Sequence, residues 1–123
     1  MINVKTKVSV ADNSGAVYAE CIKILGSHKN YAPIGKKVVV AIKKIRTRKK
    51  GKLKKKEICK GIVVRSSVRT KRRTGLLYAF STNAIVLVDQ RNNPIGHRVK
   101  GLVPQELRLK KHMRIVSLAN GVF

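Results

Sequence analysis

Acidic side chains are scarce in this chain: five Asp and Glu stand against 29 Lys and Arg, which gives 123 residues a formal net charge of +24. Positive charge at this density repels itself, so we expect the native state to include a polyanion that neutralises part of it. The acids are dispersed, with no pair at a spacing typical of acid and base catalysis. They are Asp12, Glu20, Glu57, Asp89 and Glu106.

Cysteine and histidine are sparse as well, with two Cys and three His. Cys21 and Cys59 lie far apart in strand-like runs, which predicts two reduced core thiols and not a disulfide framework. No His lies near another His or near a Cys, so the spacing indicates neither a zinc cluster nor a Cys–His nucleophile. The glycines fit neither the phosphate loop nor the dinucleotide fingerprint. We therefore expect no enzyme, no catalytic residue, no metal and no cofactor.

Aromatic residues and long apolar runs are lacking too. The chain has no Trp, three Tyr and two Phe, few for a protein that stacks single-stranded bases on aromatic platforms. No apolar run approaches the about 18 residues of a membrane-spanning helix, so no membrane partner is expected. A recognition helix for DNA is not evident either. These absences favour a folded RNA that is recognised by the shape of its backbone.

What the chain does contain is a succession of short strand-like runs. Residues 4–10 alternate apolar and polar side chains, and residues 16–25 place Tyr18, Ile22 and Ile24 on one face. An Asp-Asn-Ser-Gly sequence typical of a tight turn lies between these two runs. Further strand-like runs occupy residues 38–42, 58–64, 77–80 and 84–88, and residues 26–35 have the Gly and Pro content of a loop.

The runs together predict a small closed β-barrel, because closure removes the exposed strand edges that would otherwise aggregate. Residues 89–96 are polar and turn-rich. After them, residues 105–119 change period and are compatible with two short helical turns packed on the barrel. No repeat or linker divides the chain, so a single domain over residues 1–123 is expected.

The basic residues concentrate between Lys43 and Arg73, where 16 of the 29 occur and Glu57 is the only acid. Residues 43–56 carry Gly51 near their middle, which predicts a long hairpin projecting from the core with Gly51 at or near its tip. A solvated, disordered loop is the alternative for the free protein. Residues 65–75 form a second basic loop. The candidate RNA-binding residues are Lys43, Lys44, Arg46, Arg48, Lys49, Lys50, Lys52, Lys54, Lys55, Lys56, Arg65, Arg69, Lys71, Arg72 and Arg73.

Two other functions compete with a stable RNA-bound component. A free-standing nucleic-acid chaperone or a barrel-type translation factor would share the basicity and the fold but exchange on and off its RNA, and the scarce aromatics count against it. An enzyme acting on RNA would need acid and base groups brought close together in space.

Several separate stretches resemble one family, ribosomal protein fourteen of the large subunit. They are residues 10–16 (VADNSGA), residues 21–26 (CIKILG), residues 61–64 (GIVV) followed by Gly75, Phe80, Asn83 and Val86-Leu87, and residues 94–99 (PIGHRV). The resemblance spans essentially the whole chain.

The resemblance implies a mainly β fold, with a closed five-stranded barrel, a projecting basic β-ribbon and a short C-terminal helical region. It also implies a structural role in translation, with large-subunit rRNA, neighbouring large-subunit proteins and small-subunit rRNA as partners. The exposed surface at the subunit interface corresponds to His97, Arg98 and Arg114, where a ribosome-silencing or anti-association factor docks in family members.

Some positions depart from the family pattern. His97 stands where the family usually has Thr and Arg114 where it has Lys, which preserves the positive character but puts factor docking in question. Thr74 replaces Asp, Asn or Ser, and Ser81-Thr82 replace Asp-Gly, in turns away from the RNA face. The high charge and the Lys-, Asn- and Ile-rich composition favour a mitochondrial ribosome in the matrix, with the bacterial cytoplasm and the plastid left open.

Overall fold

The computed structural model describes residues 2–26, 28–46 and 53–123. Nine strands and two short helices follow one another in this part of the chain. They are β1 (Lys7–Val10), β2 (Ala16–Ile24), β3 (Lys37–Ile45), β4 (Ile58–Arg65), β5 (Thr70–Lys71), β6 (Leu77–Tyr78), β7 (Ala84–Val88), β8 (Val99–Val103), α1 (Glu106–Leu109), α2 (Met113–Leu118) and β9 (Ala119–Val122).

Five of the strands close into a barrel in the order β1-β2-β3-β4-β7. Neighbouring strands are antiparallel, except that β1 and β7 pair in parallel through Ser9 with Ala84 and Val10 with Ile85. This parallel seam closes the barrel and leaves no free edge among these five strands. The predicted mainly β fold, the five-stranded barrel and the short C-terminal helices are confirmed.

Aliphatic and β-branched side chains fill the barrel, as their preference for a pleated, half-buried surface predicts. All five residues of β7 are buried, and so are residues 61–64 of β4 opposite them. Gly61 has to be small here, because a Cβ at this position would lie 3.1 Å from the Cδ1 atom of Ile85. The middle of the β4–β7 pairing, from Gly61 to Val63, therefore lies fully within the core.

The first two strands differ from the sequence prediction in extent and in face. Strand β1 begins at Lys7 and not at residue 4, because Lys5 adopts a left-handed φ of +70° and Val4 is left exposed. In β2 the register shifts at Tyr18/Ala19 and Cys21/Lys23, which interrupts the alternation. Ala19 and Cys21 face the core as a result, and Ile22 is 42% exposed.

Beyond the barrel, β8 and β9 form a parallel pair, with Val99 opposite Ala119 and Val103 opposite Val122. In the sequence, β8 precedes the two helices and β9 follows them. The sequence prediction missed this pair. The two helices lie within residues 105–119 as predicted, and they bury Leu107, Ile115 and Val116.

The two cysteines are free thiols. Cys21 is buried, whereas Cys59 is only partly buried and packs at the edge of the core. Burial raises the pKa of both thiols, and the Glu57 carboxylate adds to the effect at Cys59. The prediction of a core thiol is thus met more fully at Cys21 than at Cys59.

Candidate nucleic-acid interface

The end of the barrel where β3 finishes carries the first group of candidate RNA-binding residues. Lys44 and Ile45 stay paired with β2, whereas the ladder between β3 and β4 runs only from Lys37 to Ala41. The Arg46 amide continues this attachment by donating a hydrogen bond of 2.8 Å to a carbonyl of the Asp-Asn-Ser-Gly turn. The basic side chains of residues 43–46 are all exposed. The first flank of the predicted ribbon is therefore fixed to the barrel.

The second flank is a turn that leads into β4. Lys56 has a left-handed φ of +66°, and its amide donates to the Ile42 carbonyl at 2.8 Å. The Glu57 carboxylate accepts a hydrogen bond of 2.8 Å from the Lys54 amide and closes the turn. Lys54, Lys55 and Lys56 are exposed. The predicted tip Gly51 and the candidates Arg48, Lys49, Lys50 and Lys52 lie outside the described residues.

The second basic segment is a small ribbon and not the loop that the sequence predicted. Strands β5 and β6 pair through Thr70 with Tyr78 and Lys71 with Leu77. Gly75, at a φ of +87°, allows the tight reversal between the two strands. The side chains of Arg69, Lys71 and Arg73 are exposed along this ribbon.

Two of the candidate arginines are engaged within the protein. The Arg65 Nη1 atom donates hydrogen bonds to the carbonyls of Lys100 at 2.8 Å and Leu102 at 3.3 Å, which fastens β4 to β8. Gly101 lies between them, and a Cβ at this position would come within 2.3 Å of the guanidinium. Burial lowers the pKa of Arg65 from its ordinary value.

Arg72 is held more tightly. Its Nε atom donates to Glu106 at 2.9 Å, and its guanidinium lies 4.6 Å from the ring centroid of Tyr78 and 4.8 Å from that of Phe123. Burial alone would raise the pKa of Glu106, but the hydrogen bond from Arg72, a backbone hydrogen bond and the charge of Arg72 together outweigh the effect of burial and lower that pKa. An RNA contact through Arg65 or Arg72 stays a prediction, and it would compete with these internal contacts.

The backbone of His97 and Arg98 is held by the turn at residues 12–15, which is distant in the sequence. The backbone amides of both residues donate to the Asn13 side-chain oxygen, at 2.8 and 3.2 Å. Gly96 permits this approach, since a Cβ there would lie 2.7 Å from the same oxygen. The buried Asp12 carboxylate holds the turn beneath by accepting hydrogen bonds from the amides of Ser14 and Leu87. Both side chains of the 97–98 pair are exposed.

His97 and Arg98 belong to a loop of residues 93–98. Arg114 lies next to the first residue of this loop, because its guanidinium donates a hydrogen bond to the Asn93 side chain. It lines a cleft of about 490 Å³ between the 91–93 turn and the turn that joins α1 to α2. Hydrogen bonds to the barrel fix the second turn: Lys110 donates to Ile34 at 2.5 Å, and a His112 ring nitrogen lies 3.1 Å from the Gly35 carbonyl. The other basic residues that line the cleft are Lys37, Arg91 and Lys111.

The positive charge of these surfaces is largely uncompensated. Among the described residues two ion pairs occur, Lys43 with Glu20 at 3.7 Å and Arg72 with Glu106 at 2.9 Å. In the cleft, burial lowers the pKa of Lys110, and the charge of Lys36 lowers it further. Within the described ranges no three His, Cys, Asp or Glu side chains are grouped to hold a metal ion. No helix in those ranges is long and apolar enough to cross a membrane.

The comparison with known protein families settles what this barrel with its basic surfaces belongs to. The family model for ribosomal protein L14p/L23e matches residues 1–123, the whole length of the chain. The chain belongs to this family. The L14p/L23e family is a family of structural proteins of the large ribosomal subunit and not of enzymes.

Within this L14p/L23e protein, sequence reasoning found the exposed basic segments but missed the cleft. Lys37, Arg91, Lys110 and Lys111 come from three separate parts of the chain, and only the fold brings them together with Arg114. The Lys-Lys-His run at residues 110–112, which follows a predicted helical turn, is the one local signal that could have indicated it.

Proposed function

We propose that this protein binds large-subunit rRNA through two basic surfaces: the barrel end at residues 43–46 and 54–56, and the β5–β6 ribbon. The scarcity of compensating acids is the observation that carries this proposal. Among the described residues of these surfaces, Lys43 and Arg72 form ion pairs. The exposed side chains of Lys44, Arg46, Lys54, Lys55, Lys56, Arg69, Lys71 and Arg73 have no acidic partner within the described residues and are available to replace the counterions condensed on RNA phosphates.

In this proposal the barrel is a rigid scaffold that holds the basic segments in place. Lys44 and Ile45 are paired with β2, and the lysines of the 54–56 turn are anchored by the Ile42 and Glu57 contacts. Their backbone positions are therefore fixed before RNA binds, which lowers the ordering cost of association. Only the long basic side chains have to adapt to the phosphates of the folded RNA.

The aromatic residues support recognition of backbone shape. Tyr78, Phe80 and Phe123 pack edge to face, with ring centroids 5.4 to 6.5 Å apart, and Arg72 lies over two of these rings. Rings engaged with one another and with Arg72 are poor platforms for successive bases, and of the three Phe123 alone is exposed. The proposal therefore does not include a single-stranded RNA platform.

Charge reversal at the barrel end tests the rRNA proposal. We expect the triple change Arg46→Glu, Lys54→Glu and Lys55→Glu to reduce incorporation into the large subunit strongly, because three phosphate contacts become repulsions. The matched control reverses Lys5, Lys7 and Lys23, which are also exposed and produce an equal change in net charge. Incorporation is measured from the tagged chain in gradient fractions. Equal incorporation of both triple variants would contradict the proposal.

A second surface, formed by His97, Arg98 and Arg114, is proposed to meet the small subunit or a docking factor. The Asn13 and Asn93 side chains hold the two ends of the 93–98 loop, so these exposed groups are presented from a fixed frame. Their positive character suits small-subunit rRNA across the interface. A ribosome-silencing or anti-association factor is the further proposed partner. His97, which stands where the family usually has Thr, is the residue expected to change the docking of such a factor.

The interface proposal predicts a defect of a different kind. Changing Arg98→Ala and Arg114→Ala together should leave incorporation into the large subunit unchanged and weaken subunit joining about ten-fold, if each side chain contributes a typical rim contact. Sucrose gradients at graded magnesium concentrations report joined and separate subunits. A loss of incorporation would instead assign these residues to the assembly contacts.

We further propose that the ribosome is mitochondrial and that the protein works in the matrix, on the basis of the +24 charge and the Lys-, Asn- and Ile-rich composition. Co-fractionation of the chain with purified mitochondria would support this. A gene on a bacterial chromosome or in a plastid genome would contradict it. An exchanging RNA chaperone or translation factor remains the rival function, and retention on the ribosome separates the two.

A further inference from the structure

One part of the surface does not share the basic character of the rest. A groove of about 360 Å³ lies between β3, β4 and the loop that follows β7. Its lining includes the apolar side chains of Val39, Leu53, Val88 and Ile95. We call it the β4 groove.

An exposed apolar residue stands at the groove. Ile58, the first residue of β4, lines it and is 66% exposed, although isoleucine is among the residue types most often buried in proteins. The next residue, Cys59, also lines the groove and is partly buried. Ile58 and the partly exposed Val39, Cys59 and Ile95 provide apolar surface at the groove, whereas Leu53 and Val88 are buried. Clustered apolar surface of this kind is a usual sign of an interaction site.

Two of the five acids line the same groove, and they differ from the other three. Asp12 is buried in its turn, and Glu20 and Glu106 form ion pairs. Glu57 and Asp89 accept backbone hydrogen bonds from Lys54, Arg91 and Asn93, but no Lys or Arg side chain of the described residues lies within ion-pair distance of either. Lys60 is the one Lys or Arg among the lining residues that the structure describes.

We propose that the β4 groove receives a segment of a neighbouring large-subunit protein in which an apolar side chain stands next to a Lys or Arg. The apolar side chain would cover Ile58 and enter the groove, and the cation would pair with Glu57 or Asp89. This inference rests on the proposed function only in taking the partner from the large subunit.

The charge of the groove favours a basic protein segment over an RNA backbone or a second copy of the chain. An RNA backbone would bring phosphates against two carboxylates, which is unfavourable at a site where Lys60 is the one cation among the described lining residues. A second copy of the chain would bring a net charge of +24 against an equal charge. A basic, partly apolar protein segment is complementary to both the acids and the apolar lining.

The two free cysteines allow the groove to be tested by alkylation. Cys59 lines the groove and reports its accessibility, whereas Cys21 is buried elsewhere in the core and serves as the internal reference. Alkylation by N-ethylmaleimide at mildly alkaline pH is followed by mass spectrometry in the free chain, in the chain bound to rRNA alone and in the assembled subunit. We expect Cys59 to react in the first two states and to be protected about ten-fold or more in the third. Protection by rRNA alone, or equal reaction in all three, would overturn the proposal.

Matched isoleucine variants give a second readout. Ile58→Ser removes the apolar contact at the groove, whereas Ile22→Ser changes an exposed isoleucine on β2 that does not line it. We expect Ile58→Ser to lower retention in the subunit after a high-salt wash about ten-fold, because the lost apolar burial is not screened by salt. Equal retention of the two variants would contradict a docking role.

A peptide assay keeps the inference testable apart from the ribosome. A peptide of alternating Arg and Leu should slow the alkylation of Cys59 in the isolated chain, and the Glu57→Gln, Asp89→Asn variant, which keeps the hydrogen-bond acceptors, should abolish this effect. A matched peptide of alternating Glu and Leu should leave Cys59 reactive. Protection by the acidic peptide would overturn the inference. Failure of the chain to enter the subunit would instead count against the proposed function, and this assay would then decide the groove.

Discussion

Tyr78 packs against the rings of Phe80 and Phe123, and this packing changes the pKa of its hydroxyl. The side chain is 8% exposed, and its hydroxyl has no hydrogen-bond partner in the described part of the chain. Burial raises its pKa to about 12, and the nearby Glu106 carboxylate adds to the shift without forming a hydrogen bond to the hydroxyl. Tyr78 therefore provides apolar packing and carries an unsatisfied polar atom.

Tyr78→Phe should stabilise the protein at neutral pH by about 1 kcal/mol, because it removes a buried polar atom without a partner and keeps the ring. Above the unfolded-state pKa of about 10, the unfolded phenol ionises first, so wild-type stability falls as pH rises from there toward the folded value of about 12. The advantage of the variant should grow in that window. Urea unfolding of both proteins at neutral and alkaline pH measures it, and a variant less stable at neutral pH would show that the hydroxyl is satisfied.

Asp12 illustrates what residue-level reasoning could and could not foresee. The Asp-Asn-Ser-Gly sequence predicts a turn, and the turn forms with Gly15 at a φ of +106°. The hydrogen bond from the Leu87 amide to Asp12 spans 75 positions and is not encoded in any local pattern. Local chemistry therefore indicated the turn, but not that its acid is buried and supports the surface at His97.

At the scale of elements, Arg72 is the contact that fastens the β5–β6 ribbon to the C-terminal part of the chain. It joins the ribbon to α1 through Glu106 and to the end of β9 through the Phe123 carbonyl and ring. Two strands of two residues each are too short to be stable alone. The ribbon should therefore depend on the contacts of Arg72, together with the packing of Tyr78 against Phe80 and Phe123.

Arg72→Ala should release the ribbon while the barrel stays folded. We expect faster amide hydrogen exchange at residues 70–78 and unchanged exchange in β4 and β7, because the barrel core does not involve this contact. Arg72→Lys should restore the protection only in part, since an ammonium keeps the charge but cannot reproduce the planar, forked contact. Unchanged exchange in the ribbon of the alanine variant would show that other contacts hold it.

The elements that the sequence predicted are those with a long or strongly apolar pattern. Strands β3, β4 and β7 and the two helices lie where the periodicity placed them. The parallel β8–β9 pair was missed because its partners are separated by both helices. Strand β6 lies in the predicted run at residues 77–80, but β5 and its pairing with β6 were missed because a strand of two residues carries no period. Exposed basic residues could be read from composition, whereas the cleft beside Arg114 depends on turns that meet only in the fold.

At the scale of the whole molecule, a largely apolar barrel core is surrounded by a surface of very high positive charge. The core is built from aliphatic side chains, and nearly all charge lies in turns, strand ends and the ribbon. Such a protein gains stability from any polyanion that binds only its folded state. The β4 groove, with its two acids, is the proposed exception, at which a protein contact replaces an RNA contact.

The central claim is that this member of the L14p/L23e family is an integral component of the large subunit and not a factor that exchanges on its RNA. The most direct test is co-sedimentation of the tagged chain from lysate, at moderate salt and again after a high-salt wash. Binding that rests on counterion release alone should collapse as salt rises. We predict that the chain stays with the large subunit and with joined ribosomes through the wash. Its movement to the light fractions would contradict the account and favour the exchanging factor.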